Sequence, residues 1–290
     1  MAVIITIANE KGGVGKTTTA VNLACGLALR LAELKGPAGR ILLVDMDPQS
    51  HALLATGYGH HVAAEADSLA ALLTENPPPS VQRMLVQGVH HPNLSLIPGN
   101  RFALSEAARL LPSLMANESR LRRALQPVFP QFAYIIIDTP PTTGDLLING
   151  LVAATHVIIP VETSYLGVSG LRELQRTIEE VRYHFTPDLT ILGYLPTLCE
   201  EQRTETQEII EELHQRYPDQ LYSPIHKSAD LAYAHSSHMD VFTYRPPRQR
   251  GPGQLASSSR PTQEYARLVE DVLQQTWYLV QGTLMIEKGL

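Results

Sequence analysis

Lys11-Gly12-Gly13-Val14-Gly15-Lys16-Thr17-Thr18 joins an apolar run, Val3-Ile4-Ile5-Thr6-Ile7-Ala8, to a helix-patterned stretch over 16–34. The run is continuously hydrophobic, as in a strand buried on both faces. A strand, a glycine-rich turn and a helix N-terminus in that order make a cradle for phosphate. Glycines let backbone N–H groups approach phosphate oxygens closely. The helix start adds unpaired N–H donors and a positive partial charge. Lys16 supplies a full charge for terminal phosphates, and the Thr17 hydroxyl is placed to ligate Mg2+. Lys11, Gly12, Gly13, Val14, Gly15, Lys16, Thr17 and Thr18 are the expected nucleotide contacts.

Further apolar runs follow at 41–44, 94–97, 134–137, 157–159 and 189–192. Most are continuous rather than alternating. Helical patterns lie between them, for example at 119–125, 167–185 and 204–216, where Ile209, Ile210 and Leu213 mark one face. Strand and helix in alternation predict an α/β fold with a doubly wound, mostly parallel sheet and helices on both faces. Ligands of such folds bind beyond the carboxyl ends of the strands, where the glycine-rich turn stands. Two runs end in acid there: Asp45-Met46-Asp47-Pro48-Gln49 and Asp138-Thr139-Pro140-Pro141. A carboxylate in that position can hold Mg2+, directly or through water, or orient an attacking water. Thr17, Asp47 and Asp138 are the candidate metal residues; Asp45 either supports them or caps a turn.

At 290 residues the chain can bury a substantial core, and no boundary is strong enough to divide it. One domain over 1–290 is expected, with a basic loop over 245–261 and a C-terminal helix over 262–280. Tyr265, Leu268, Val269, Val272 and Leu273 share the inner face of that helix. No apolar run approaches the ~20 residues needed to span a bilayer, and the direct start in a strand predicts no secretory leader. Two cysteines, Cys25 and Cys199, suit a reducing cytoplasm. Cys25 is expected in the core, and no Cys or His spacing points to a metal beyond Mg2+. His60-His61 and His90-His91 read as solvated pairs. A net charge of −6 argues against a constitutively basic nucleic-acid binder but leaves room for a local basic patch.

The phosphate motif departs from the usual G-x-x-x-x-G-K-[ST]: Glu10 replaces the first glycine, and a second lysine, Lys11, precedes Lys16 by five residues. K-G-G-x-G-K-[ST] is the deviant Walker A pattern and resembles the ParA/MinD class of P-loop ATPases. The longer stretch from Asn9 to Ala24 is similar to the opening of the ParA/Soj partition ATPases. Leu43-Val44-Asp45-Met46-Asp47-Pro48-Gln49 resembles their second motif, Ile136-Ile137-Asp138-Thr139-Pro140-Pro141 their Walker B, and Ile158-Ile159-Pro160-Val161 their following strand. The order agrees from residue 1 to about 245. Where the family has Ile-Pro near its last strand, close to adenine, this chain has Ile225-His226.

The resemblance implies an ATP hydrolase using Mg2+, catalytic through Lys11, Lys16 and Asp47. ATP would close a homodimer, with Lys11 reaching the partner's phosphates and Asp47 orienting the hydrolytic water. The dimer would bind nonspecific DNA, a ParB-like partner would stimulate hydrolysis, and the cycle would partition or position a plasmid, a chromosome region or another large cargo. The protein would be cytoplasmic, and nucleoid-associated in its ATP state. From 241 to 263 there are four arginines, Arg245, Arg248, Arg250 and Arg260, and no acidic residue, which makes that stretch the local candidate for phosphate contact. Lys227 and Arg203 are further candidates.

Two other members of the class are alternatives. A MinD-like membrane-surface ATPase needs a basic amphipathic tail; the tail from Trp277 to Ile286 is apolar but has only Lys288 nearby, so a membrane is not the expected partner. An iron protein of the nitrogenase type needs paired cysteines, which Cys25 and Cys199 do not supply. A ParA-like ATPase moving a protein cargo such as carboxysomes would share every motif above.

Overall fold

The computed structural model describes residues 2–35, 39–57, 68–245 and 259–286. Seven strands form one sheet in the order β3-β4-β2-β5-β1-β6-β7. They are β1 (Val3–Ile7), β2 (Ile41–Asp45), β3 (Val86–Gln87), β4 (Leu94–Ile97), β5 (Tyr134–Asp138), β6 (His156–Glu162) and β7 (Thr190–Thr197). All neighbours run parallel except the two-residue β3, which pairs antiparallel with β4 at one edge. β1, β2, β4 and β5 are buried at every position, which is why their sequences run continuously hydrophobic.

Side chains of these strands alternate between two cores. Val3, Ile5, Ile7, Ile41 and Leu43 join one face, covered by α1 (Lys16–Lys35), α2 (His51–Ala55) and α11 (Arg260–Ile286). Ile4, Leu42, Val44, Ile135 and Ile137 join the other. There they meet α3 (Leu69–Thr74), α4 (Arg101–Leu110), α5 (Arg120–Leu125) and the ends of α6 (Asp145–Ala153). The remainder of α6 packs with α8 (Leu171–His184) and α9 (Thr204–Arg216) against β6 and β7. The doubly wound, mostly parallel sheet expected from the alternation of elements is thus present.

α11 is longer at both ends than the helix expected over 262–280. It lies across α1, where Gly26 permits the approach: a Cβ there would stand 2.5 Å from Val269 Cγ2 and 2.9 Å from the Phe242 ring. Polar contacts fix its position. Tyr134 Oη and Thr276 Oγ1 lie 2.7 Å apart inside the protein, and Tyr222 Oη donates to Gln275 Oε1 at 2.6 Å. The helix expected over 167–185 is two: α7 (Tyr165–Ser169) and α8 meet at Gly170. Ser164 caps α7 by accepting from the Gly167 N–H at 3.1 Å, so the chain turns helical before the apolar pattern announces it. β7 continues past the expected 189–192 to Thr197. On its outer side it is paired by the chain returning through 220–227, where Tyr222 N donates to the Tyr194 carbonyl at 2.9 Å and Ile225 N to that of Pro196 at 2.9 Å. Among the described residues no helix is long and apolar enough to cross a membrane.

Candidate functional site

Three strand ends stand level: in the register Ile7 pairs with Asp138, and Asp138 with Asp45. The chain leaving β1 therefore passes directly over the two carboxylates. Gly13 and Gly15 take φ of +77° and +83°, a region that costs an L side chain but not glycine, and the loop curls into a cradle between them. Its seat is fixed by side-chain hydrogen bonds between it and the neighbouring strands. Thr139 Oγ1 donates to the Ile7 carbonyl at 2.8 Å, Asn9 Nδ2 to the Pro160 carbonyl at 2.6 Å, and Thr197 Oγ1 to the Val14 carbonyl at 2.9 Å.

Lys16, at the first position of α1, is only 6% exposed; its Nζ donates to the Lys11 carbonyl at 2.8 Å, so the ammonium lies back across the mouth of the loop. Burial pulls its pKa down to about 8, against the opposing pull of Asp138 and Asp47. Asp138 is fully buried, and neither carboxylate oxygen accepts a hydrogen bond from the protein. Burial, and then the Asp45 charge, push its pKa well above the usual carboxylate range, while the Thr17 hydroxyl and Lys16 work the other way. Asp45 is also fully buried; one oxygen accepts from Leu53 N at 3.0 Å and the other is unpartnered. Burial raises it to about 7, partly offset by the Leu53 N–H. Asp47 accepts from Gln49 N at 2.8 Å and is nearly buried. An unpartnered buried carboxylate near a hydroxyl, with an ammonium beside them, suits a hard divalent cation next to phosphate.

Lys11 sits at the rim. Its Nζ forms an ion pair with Glu162 at the end of β6 and lies 3.5 Å from Ser164 Oγ. Glu162 carries no motif, and only its place at the end of the strand beside β1 could have indicated it. Glu10, the residue that spoils the standard motif, accepts from Thr177 Oγ1 at 3.1 Å on α8.

The arginine candidates are scattered. Arg248 and Arg250 lie outside the described residues, as do His60 and His61. Arg245 donates to the Phe242 and Tyr244 carbonyls. Arg260 pairs with Glu201 at 2.6 Å and Glu264 at 2.7 Å, so two carboxylates already compensate its charge. Lys227 and Arg203 share Glu200. His226, where the family has proline, is bound to Glu264 at 2.7 Å. One sequence-based reading is overturned. His90 and His91 are not solvated: both are largely buried against Asp240. And the fold brings His91 and Asp240 up to Cys25, a grouping that no spacing in the sequence reveals.

A family model described as an AAA domain matches residues 2–191. The sporulation initiation inhibitor protein Soj of Bacillus subtilis is 35% identical over 87% of this chain and 94% of its own. The chain belongs to the ParA/Soj family of P-loop ATPases. The chromosome partitioning protein ParA of Myxococcus xanthus is 36% identical over 77% of this ParA/Soj-family chain and 74% of its own. Among solved structures, one described as cobyrinic acid a,c-diamide synthase from Mycobacterium smegmatis, with bound ATP analogue and magnesium, superposes with a TM-score of 0.73. It is 28% identical and covers 96% of each chain. The deviant-Walker-A architecture of this ParA/Soj-family protein is thus shared across nearly its full length.

Proposed function

We propose that the protein is a Mg2+-dependent ATP hydrolase that dimerises on binding ATP and in that state holds nonspecific DNA. Its cycle would position or partition a plasmid, a chromosome region or a comparable cargo, with a ParB-like partner stimulating hydrolysis. The observation that carries the ATPase half is Asp138: a fully buried carboxylate without a protein donor, placed at the strand end beside the Thr17 hydroxyl and the Lys16 ammonium. Thr17, Asp138 and, through water, Asp47 fit Mg2+, which when bound would neutralise charge on the phosphate oxygens. The backbone from Gly12 to Thr18 receives the phosphates, and Lys16 is drawn from the Lys11 carbonyl onto them. Asp47, at the mouth of the site, orients the attacking water. Lys11 acts on the partner's nucleotide once released from Glu162.

The DNA and cargo half rests on kinship with proteins named for chromosome partitioning. In this reading 1–290 work as one unit, cytoplasmic when free of ATP and nucleoid-associated when bound to it. Arg245, Arg248 and Arg250 carry the phosphate contacts, with Arg260 available only after it leaves Glu201 and Glu264. The test is binding to nonspecific duplex DNA with ADP and with ATP, using Asp47→Ala to hold the ATP state. Binding with ATP alone, weakening steeply with salt, is the expected result. An Asp47→Ala protein that dimerises on ATP yet binds DNA in neither state would overturn the DNA reading and leave the ATPase standing.

A further inference from the structure

Three stretches far apart in the chain converge on one imidazole, that of His90. They are the turn between β3 and β4, the chain leaving α2, and the chain after α10 (Ala229–Ser236). Only 12% of the His90 side chain is exposed. Nδ1 lies 2.7 Å from Asp240 Oδ2. The rest of the ring faces the backbone of Thr56 and His238. A Cβ on Gly57 would stand 4.0 Å from His90 Nε2 and 3.4 Å from the His238 carbonyl oxygen, which puts Nε2 on that side.

These neighbours are all acceptors. Asp240 is 1% exposed and well supplied with donors: Thr243 Oγ1 reaches Oδ2 at 2.8 Å, and Phe242 N and Thr243 N reach Oδ1 at 2.8 and 3.0 Å. Burial works against its charge, but the contacts from His90, His91 and Thr243 outweigh burial and hold its pKa well below the usual carboxylate range. A neutral imidazole has one N–H and one lone pair, so at His90 the lone pair would face either this carboxylate or the backbone carbonyls. An imidazolium donates from both nitrogens and satisfies every neighbour. The hydrogen bond to Asp240, set against burial, raises the His90 pKa above its ordinary 6.5, and the Thr56 and His238 carbonyls add to the rise.

The charge fastens two parts of the molecule. One is α2, whose Leu53 N–H is bound to Asp45 at its near end and which runs out at Thr56. The other is the root of the segment leading to Arg245, where Tyr244 N donates to the Asp240 carbonyl at 2.9 Å. His238 Nδ1, 2.7 Å from the Leu54 carbonyl, makes a second tie between the same parts. His90 and His238 take φ of +58° and +56°, a region that non-glycine residues hold where contacts enforce it. Other titratable groups around this spot, among the described residues, are His91 on the same turn, Cys25 on α1, His51 on α2, and His235 and His238 from α10 and beyond.

We propose that the His90 imidazolium is a proton-operated clamp, closed while charged, that holds the end of α2 to the chain leading to Arg245. The proposal is independent of the function proposed above. Because the folded pKa of His90 is raised, the clamp contributes fully below pH 6.5 and is lost as pH rises through the folded value.

The test is amide hydrogen exchange of the full-length chain without nucleotide, from about pH 6 to about pH 9, corrected for the intrinsic pH dependence of exchange. Protection over 54–57 and 238–244 should fall with rising pH, by about tenfold for each unit by which the fold raises His90, while β1 and β5 keep theirs. His90→Gln should exchange fast in both segments at every pH, and His91→Gln and His238→Gln should keep the dependence. Protection that ignores pH overturns the proposal, as does a pH dependence that survives in His90→Gln. Should His90→Gln fail to fold, nitrogen-15 spectra of the wild-type histidines decide. A histidine with both ring nitrogens protonated above pH 7 supports the clamp, and none in that state overturns it.

Discussion

Helix α1 carries buried ionisable groups at two places, and they reached burial by different routes. At its first turn Lys16 and Thr17 meet Asp138, which the register sets beside Asp45 on the neighbouring strand. Further along, Cys25 meets His91 and Asp240, which come from a tight turn and from a segment late in the chain. In the first cluster Asp138 lacks a protein donor on both oxygens and Asp45 on one. In the second the carboxylate is fully dressed by His90, Thr243 and backbone N–H groups, and the unpaired atom is an imidazole nitrogen. A site built to exchange its ligand keeps its acids hungry, whereas one built to hold its parts together satisfies them first.

The comparison is broken most severely by Lys16→Ala. It should abolish measurable ATP binding without lowering the melting temperature, since the removed ammonium makes one hydrogen bond to its own loop and its burial opposes folding. Isothermal titration with a parallel melting curve reads both, and retained ATP affinity would remove Lys16 from the cradle. Asp240→Asn should do the reverse. It strips the charge that His90 and Thr243 serve and costs about 3 kcal/mol of stability, seen as a lowered Tm, with ATP affinity kept in the protein that remains folded. Gly26→Ala should cost about 1–3 kcal/mol by overpacking α1 against Val269 and Phe242; a neutral denaturation midpoint would mean that α11 shifts freely.

The smallest effect is protonic. Burial lowers Lys16 from its unfolded value of 10.5 to about 8. The group therefore opposes folding below pH 8, where it is charged in both states, and the opposition fades as pH rises towards 10.5. Bound phosphates restore the charged form, so binding of ATP without Mg2+ near pH 8, which leaves Asp138 out of the proton balance, should take up a fraction of a proton. Titration calorimetry in two buffers of different ionisation enthalpy measures it, and equal heats would show that Lys16 is fully charged before ATP arrives.

The nucleotide cluster could be read in the sequence because each part has a local signature. The loop is contiguous, and each acid closes a hydrophobic run whose register follows from the parallel sheet. Glu162 closes a buried apolar run as well, but nothing in the chain around it points to Lys11, which it meets only across two neighbouring strand ends. The His90–His91 pair was misread because its burial depends on Asp240, which reaches it only through the packing of a late segment on α1. α3 and α4 went unnoticed too: the first is short, and the second begins at the Asn100 cap, which accepts from Ala103 N at 3.1 Å, rather than at a hydrophobic repeat.

The margins of the sheet bear on how copies of this chain can meet. At one side β3 offers two residues; at the other the backbone of β7 is already claimed by 220–227. Among the described residues neither margin is a long free ladder onto which another strand could zip. Growth by strand addition, which no nucleotide would govern, is thereby closed off. What remains for self-association is contact through side-chain surfaces, and in the function proposed above the rim where Lys11 pairs with Glu162 is one of them. Assembly there can be made to answer to whatever fills the cradle, and to end when it empties.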